Sequence, residues 1–316
     1  MNPLISVIIP THNPNQIRLQ RTLCALKQQT LAQENWELIV IDNLTPDHKY
    51  VPSFDFSWHS STRIIREEHL GLTRARIAGI KNSQGNYLVF VDDDNVLSPD
   101  YLEKVINIFQ NNPKLGAIGG KSLPEFEIEP EPWVKDFWVC LALRDLGEEI
   151  QIYFYNQASI GEKQHPSFAP IGAGMALSIK AAKFYVDSLL KDITRMSLDR
   201  TGKNLQSGGD CDINLTLLDA GWGVGYFPQL QLSHLISANR LTKDYLARLN
   251  YASSLSWIQV LNAHSIRPWK KIYRWSVLPR KVKAFLNYQP WKSHAAYVRW
   301  QGACGTFEGL GALSKK

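Results

Sequence analysis

Three consecutive carboxylates close an apolar run, where Val89-Phe90-Val91 leads straight into Asp92-Asp93-Asp94. Adjacent like charges at the end of a buried strand repel one another and lose hydration, so they stay ionised only beside a counter-charge. Strand alternation predicts that Asp92 and Asp94 look one way and Asp93 the other. Two carboxylates aimed into one crevice suit a hard divalent cation with phosphate oxygens on its far side. A solvated acidic loop is the plain alternative. The apolar run argues against it, because ligands of open α/β sheets bind at the carboxyl ends of strands. Two more residues invite chemistry: Asp210, just ahead of an amphipathic stretch, and His234, just after an apolar one. By position alone the first reads as a helix N-cap and the second as a structural histidine.

The elements that must hold these residues follow from the spacing of apolar positions. Leu4–Ile9 and Trp36–Ile41 are near-continuous apolar runs, as buried parallel strands are, and Pro10 ends the first. Between them Leu19, Leu23 and Leu26 mark one face of a helix starting near Ile17, which completes a βαβ unit. Residues 44–62 read as a loop and Arg63–Arg66 as a short strand. Gly71–Asn82 reads as a helix bringing Arg74, Arg76 and Lys81 together. Ser98-Pro99-Asp100 carries the marks of a helix start, with Ser98 as N-cap. Leu102, Val105, Ile106 and Phe109 form that helix's apolar face. Leu115–Gly120 is a further strand, and the acidic, aromatic stretch after Pro124 reads as a lid, an acceptor surface or, by default, a solvated loop. Residues 151–157 read as a strand, and the glycines of 170–176 as room for a close approach to the backbone or, equally, for close helix–strand packing.

At 316 residues the chain can bury a full core, and 44% hydrophobic with 20% charged residues excludes a disordered chain. Cys24, Cys140, Cys211 and Cys304 are too scattered for a zinc site or disulfide framework, and read as free thiols in a reducing compartment. No run reaches the roughly 18 apolar residues of a membrane span, and the N-terminus lacks a signal-peptide pattern, so a cytoplasmic protein is expected. Residues 267–316 hold eleven Lys or Arg against one acid, Glu308, a balance of +10 that leaves −4 for the rest of a chain of net charge +6. Aromatics interleave with these cations, which suits an anionic membrane surface or, equally, aromatics packed on the body with the cations solvated. Nucleic acid is not expected, since no binding motif accompanies the charge.

Taken in order, five segments resemble the inverting glycosyltransferases of family 2, with the GT-A fold. They are ISVIIPTHN at 5–13, ELIVIDN at 37–43, GLTRARIAGIKNSQGNYLVFVDDDN at 71–95, IGAGMALS at 171–178 and GGDCDINLTLLDAGWGVGYFP at 208–228. The resemblance implies a Rossmann-like, mostly parallel α/β sheet flanked by helices over 1–235, with a mainly helical, basic extension over 236–316. By the same resemblance, Pro10, Thr11, His12 and Asn13 line the nucleotide floor, Asp42 binds the base and Arg76 supports the pocket. Asp92 and Asp93 face the nucleotide. Asp94, with His234, ligates Mn²⁺ or Mg²⁺. Asp210 is the aspartate of the family's Glu-Asp pair and the general base, with Asp212 the next candidate. The donor is then a UDP-, GDP- or dTDP-sugar and the acceptor a saccharide or lipid-linked saccharide. The setting is polysaccharide or glycan assembly, with the extension holding the enzyme at the inner face of a membrane. Two positions depart from the pattern: Gly209 stands where relatives carry glutamate, and Ile77 where they carry asparagine.

Two other functions share some of these features. A haloacid dehalogenase-type phosphatase also uses a DxDxV run, as in Asp92–Val96, but on its first strand. A module that binds nucleotide-sugar or polysaccharide without turnover would explain Gly209.

Overall fold

The structure is a computed structural model that describes residues 3–155, 163–202 and 204–313. Its centre is β1 (Ile5–Thr11), buried along its whole length between β2 (Trp36–Asp42) and β4 (Tyr87–Phe90). With β3 (Thr62–Arg66) outside β2, these four strands are parallel. The continuous apolar runs are accounted for by helices on both faces of the sheet. Ile5, Val7 and Ile9 pack with Leu19, Leu23 and Leu26 of α1 (Gln16–Lys27) and with Leu102 and Val105 of α3 (Tyr101–Asn111). On the other face Ile8, Leu88 and Phe90 meet α2 (Leu72–Asn82), α4 (Ile179–Lys191) and α5 (Gly209–Asp219). Each fully buried Leu or Ile of this kind contributes about 1.5–3 kcal/mol. Pro10 lies inside β1 rather than ending it. Ile8 O bonds Val91 N–H, so Pro10 faces the same side two residues on, where β4 has already finished and no donor is required.

Among the described residues the sheet continues from β3-β2-β1-β4 through β8 (Ala176–Ser178), β6 (Leu115–Phe126) and β9 (Gly223–Ile236) to β5 (Asn95–Leu97), with β7 (Gln151–Tyr153) also on β9. Strand β8 is antiparallel to both neighbours, and β6 runs parallel to β9. The short β5 pairs antiparallel with Leu232–His234 and so seats the end of the aspartate run beside His234. Strand β6 outruns its expected end because β9 accompanies it to Phe126, which draws the first acidic residues into the sheet. Glu125 then bonds Arg21, and Glu127 accepts from Ala238 N–H at 2.9 Å. Of the strand expected over 151–157, residues 156 and 157 lie outside the described residues. Helix α3 begins at Tyr101, not at Pro99: Pro99 O is taken by Thr30 N–H at 2.8 Å, and Ser98 Oγ bonds Asp100 instead of capping.

Helices α6 (Lys243–Ala263), α7 (Val277–Tyr288) and α8 (His294–Ala312) follow the sheet. Helix α8 lies close against α6 because Gly302, Gly305 and Gly309 face it. A Cβ on Gly305 would stand 2.1 Å from Tyr251 O. The helices are not a separate body, since Leu246 and Val298 share a cluster with Val134, Phe137 and Leu141 from the sheet-bearing half. No helix of the described residues is long and apolar enough to cross a membrane.

Candidate active site

A cleft of about 650 Å³ opens at the carboxyl ends of β1 and β4. Thr11 and His12 leave β1 into it, Asp92–Asp94 leave β4, and Asp210 enters from the first turn of α5. His234 reaches it from β9, and Ser253, Ser254 and Trp257 close it from α6. All three carboxylates of the aspartate run line this cleft, against the expected alternation. The strand has ended at Phe90, and Asn95 N–H bonds Asp92 O at 3.0 Å, so the run is a turn with no two-residue period.

The turn gives each aspartate a different environment. Burial, then the charge of Asp94, pushes the Asp93 carboxyl up to about 7, against a hydrogen bond from Thr11 Oγ1. Burial would raise Asp94 too, but His234 and Arg240 outweigh it and hold that carboxyl well below the usual range. Asp94 Oδ1 is 3.3 Å from His234 Nε2, and Arg240 Nη1 is 3.1 Å from Asp94 Oδ2. Leu235 N–H bonds Asp94 O at 2.9 Å, so sheet pairing itself sets the Asp94–His234 approach. One carboxylate and one imidazole facing a cleft would hold Mn²⁺ or Mg²⁺ chiefly through the carboxylate, the hard oxygen donor these ions prefer. Such ions take one or two protein ligands and complete their shell with phosphate oxygens and water. No group of three or more His, Cys, Asp or Glu arranged for a metal occurs among the described residues, so phosphate oxygens and water would have to supply the rest. His234 Nδ1 has no hydrogen-bond partner, so packing and Arg240 orient the ring.

Across the cleft Arg76 is buried, with its guanidinium 5.3 Å from the centre of the Phe90 ring. Nη1 lies 3.4 Å from Asp199 Oδ2, while Nη2 is 2.4 Å from where a Cβ on Gly172 would be. Gly172 N–H in turn donates to Asp210 Oδ2 at 3.1 Å, and Cys211 N–H to Asp210 Oδ1 at 2.9 Å. Asp210 is therefore a first-turn residue and not the N-cap, which is Gly208; the positive end of α5 favours its charge. Burial raises the Asp199 carboxyl above its ordinary value, and Arg76 works against that rise.

The family description Glycosyl transferase family 2 matches residues 6–181, more than half of the chain. The chain belongs to glycosyl transferase family 2. An uncharacterized glycosyltransferase of Haemophilus influenzae is 30% identical over 116 residues, 36% of this chain and 37% of the relative. A dolichol-phosphate mannosyltransferase of Pyrococcus furiosus is 28% identical over 132 residues, 42% of this chain and 37% of the relative. The minor teichoic acid biosynthesis protein GgaB of Bacillus subtilis is 28% identical over 109 residues, 34% of this chain and 12% of the relative. The chain thus spans well under half the length of each of these relatives. The crystal structure of S. aureus TarS 1–349 superposes with a TM-score of 0.51 at 12% identity, covering 98% of this chain and 91% of that one. The TarS complex with UDP-GlcNAc gives 0.52 at 12% identity over the same shares. These superpositions show the GT-A fold.

The family match removes the phosphatase reading, and the fold brings most of the expected family 2 residues together. Pro10, Thr11, His12, Arg76, Asp92, Asp93, Asp94, Asp210 and His234 line one cleft. Asn13 and Asp42 do not. Asn13 is exposed with φ 48°, and its N–H bonds Thr45 Oγ1. Asp42 is buried, accepting from Arg66 Nη1 at 2.7 Å and from Thr45 N–H at 3.0 Å. Its neighbour Asn43 lines the cleft instead; the Asn43 amide bonds His69 O and Gly71 N–H at 2.8 Å and fixes the entry to α2. Asp212 is no alternative base: it is 1% exposed, with Arg195 bidentate at 2.8 Å and His264 Nε2 at 3.0 Å. Reading the sequence missed Asp199, Arg144, Arg200 and Arg240, which surround the cleft with cations and one more acid. They lie in loops and a short helix, without periodicity to mark them. His165, pushed down to about 4 chiefly by burial, also lines the cleft, edge-on to Trp257 at 5.3 Å.

Proposed function

We propose that the protein transfers a sugar, with inversion, from a nucleotide-sugar to an acceptor hydroxyl during assembly of a polysaccharide or related glycan. The observation that carries this reading is that Asp94 with His234, and Asp210, line one cleft with Arg76, Arg200 and Arg240. Asp94 and His234 would hold a divalent cation, which when bound neutralises the charge developing on a diphosphate leaving group. Arg200 and Arg240 add fixed positive charge at the same end. Asp210 takes the proton from the acceptor hydroxyl as its oxygen bonds the anomeric carbon, and the bond from that carbon to the diphosphate oxygen breaks. One displacement inverts the anomeric centre and leaves Asp210 protonated and a nucleoside diphosphate free. TarS is described in complex with UDP and with UDP-GlcNAc, which supports a nucleotide-sugar as donor here.

The same reading includes docking on an anionic membrane from the cytoplasmic side. Trp275 is 77% exposed, and Leu278, Val282 and Leu286 follow on one face of α7, also exposed. Arg274, Arg280 and Lys283 flank them, which is the composition of a helix lying in a lipid interface. Incubation with Mn²⁺ and a panel of UDP-, GDP- and dTDP-sugars tests the proposal. Metal-dependent release of nucleoside diphosphate is expected. Saturable binding without release would make the protein a binding module and overturn the catalytic reading.

A further inference from the structure

Gly209 sits beside Asp210, in a place where a side chain has no room. A Cβ on it would stand 2.1 Å from Asp199 Oδ2 and 2.5 Å from the Asp199 carboxyl carbon. Its backbone does not demand glycine, since φ is not positive there, and the first turn of a helix accepts an acidic side chain well. The obstacle is another carboxylate, which arrives from the loop before α5. Asp199 is 3% exposed and built in: Arg200 N–H donates to Oδ1 at 2.9 Å, Thr73 Oγ1 to Oδ2 at 3.3 Å, and Arg76 Nη1 to Oδ2 at 3.4 Å.

We propose that Asp199 is a positioning residue of the transfer site, supplying from the loop before α5 the carboxylate that stands next to the base. The path is short. Asp199 fixes one nitrogen of Arg76, and the other fills the space beside Gly172 Cα. The Gly172 N–H then orients Asp210 Oδ2. Loss of the Asp199 charge leaves a buried guanidinium without its acid, free to turn toward Asp210. A side chain added at 209 expels Asp199 with the same result. Gly209 is therefore the counterpart of Asp199 and not a sign of lost catalysis. This inference rests on the proposed transfer reaction.

The test is reciprocal rescue. Asp199→Ala and Gly209→Glu are each expected to lower kcat by at least about tenfold, a sub-ångström misplacement being enough for that. The KM for the best donor of the nucleotide-sugar panel should change far less than kcat. The double variant, which moves the carboxylate from 199 to 209, is expected to exceed both single variants severalfold in kcat. A double variant no better than the poorer single one overturns the proposal, as does Gly209→Glu with wild-type kcat. Should Asp199→Ala fail to fold, Asp199→Asn keeps the volume and removes the charge, and wild-type kcat in it is equally fatal. If the wild-type protein turns over no donor, the transfer reading falls, and the thermal unfolding midpoints of the same variants decide. Recovery of the midpoint in the double variant upholds the exchange of carboxylates, and additive losses overturn it.

Discussion

Asp93, Asp94, Asp199 and Asp210 of the cleft are each held by a partner that ordering along the chain does not reveal. Asp94 and His234 are 140 positions apart and meet because β5 and β9 pair. Asp94→Asn should remove the Mn²⁺ dependence of UDP affinity while leaving the fold intact. Calorimetry showing the same affinity with and without Mn²⁺ in the wild-type protein, or no change in the variant, would count against Asp94 as a ligand. That the acidic run lines a cleft was legible because charge at the end of a buried strand needs a reason. Its alternation was not, because the chain leaves strand geometry at Val91. Asp42 looked equally promising at the end of β2, yet Arg66 and Thr45 claim its carboxylate. Sequence shows the acid and not its partner. Gly209 reads as a defect in a motif until Asp199 is seen against it.

Among the elements, α5 and α6 are joined by an ionic cluster that belongs to the scaffold and not to the cleft. Burial alone would push the His264 imidazole down, but the carboxylates of Asp212 and Asp219 outweigh it and hold it above the ordinary histidine value. Arg195 and Tyr185 also face Asp212, and Lys163 faces Asp219. A histidine raised in the folded state adds stability in full below its unfolded value of about 6.5, and that stability is lost as pH rises through the folded value. The unfolding midpoint should therefore decline as pH rises through neutrality, and His264→Gln should flatten that decline; an unchanged slope would remove His264 as its source. Helix α7 makes a second prediction. Trp275→Ser with Leu278→Ser and Leu286→Ser should weaken sedimentation with phosphatidylglycerol vesicles by more than about tenfold, given about 1.5–3 kcal/mol per buried Leu. Equal sedimentation would end the membrane assignment. The strands and helices of the first half were largely readable from apolar spacing. The start of α3 was not, because Thr30 takes the Pro99 carbonyl from another part of the fold.

At the scale of the molecule, the passage from sheet to helices after Ile236 is a change of architecture without a gap in packing. Ser253, Ser254 and Trp257 wall the cleft, and Val260 packs against Leu198 and Leu215. Removing the chain beyond about residue 240 would expose these surfaces, so surface substitutions in α7 are the sounder probe of its role. The +10 of residues 267–316 was visible in composition, whereas the contribution of α6 to the cleft was not, since Ser and Trp carry no positional signal. The sheet brings Asp94 and Asp210 to one opening, where the proposed transfer would have cation and diphosphate beside Asp94 and proton removal beside Asp210. Turnover and donor affinity of Asp210→Asn, measured side by side with the nucleotide-sugar that the wild-type protein consumes, test that division most directly. The account predicts a fall in turnover of at least ~10²-fold with calorimetric affinity for the donor unchanged. Near-normal turnover, or loss of donor binding together with turnover, would contradict it.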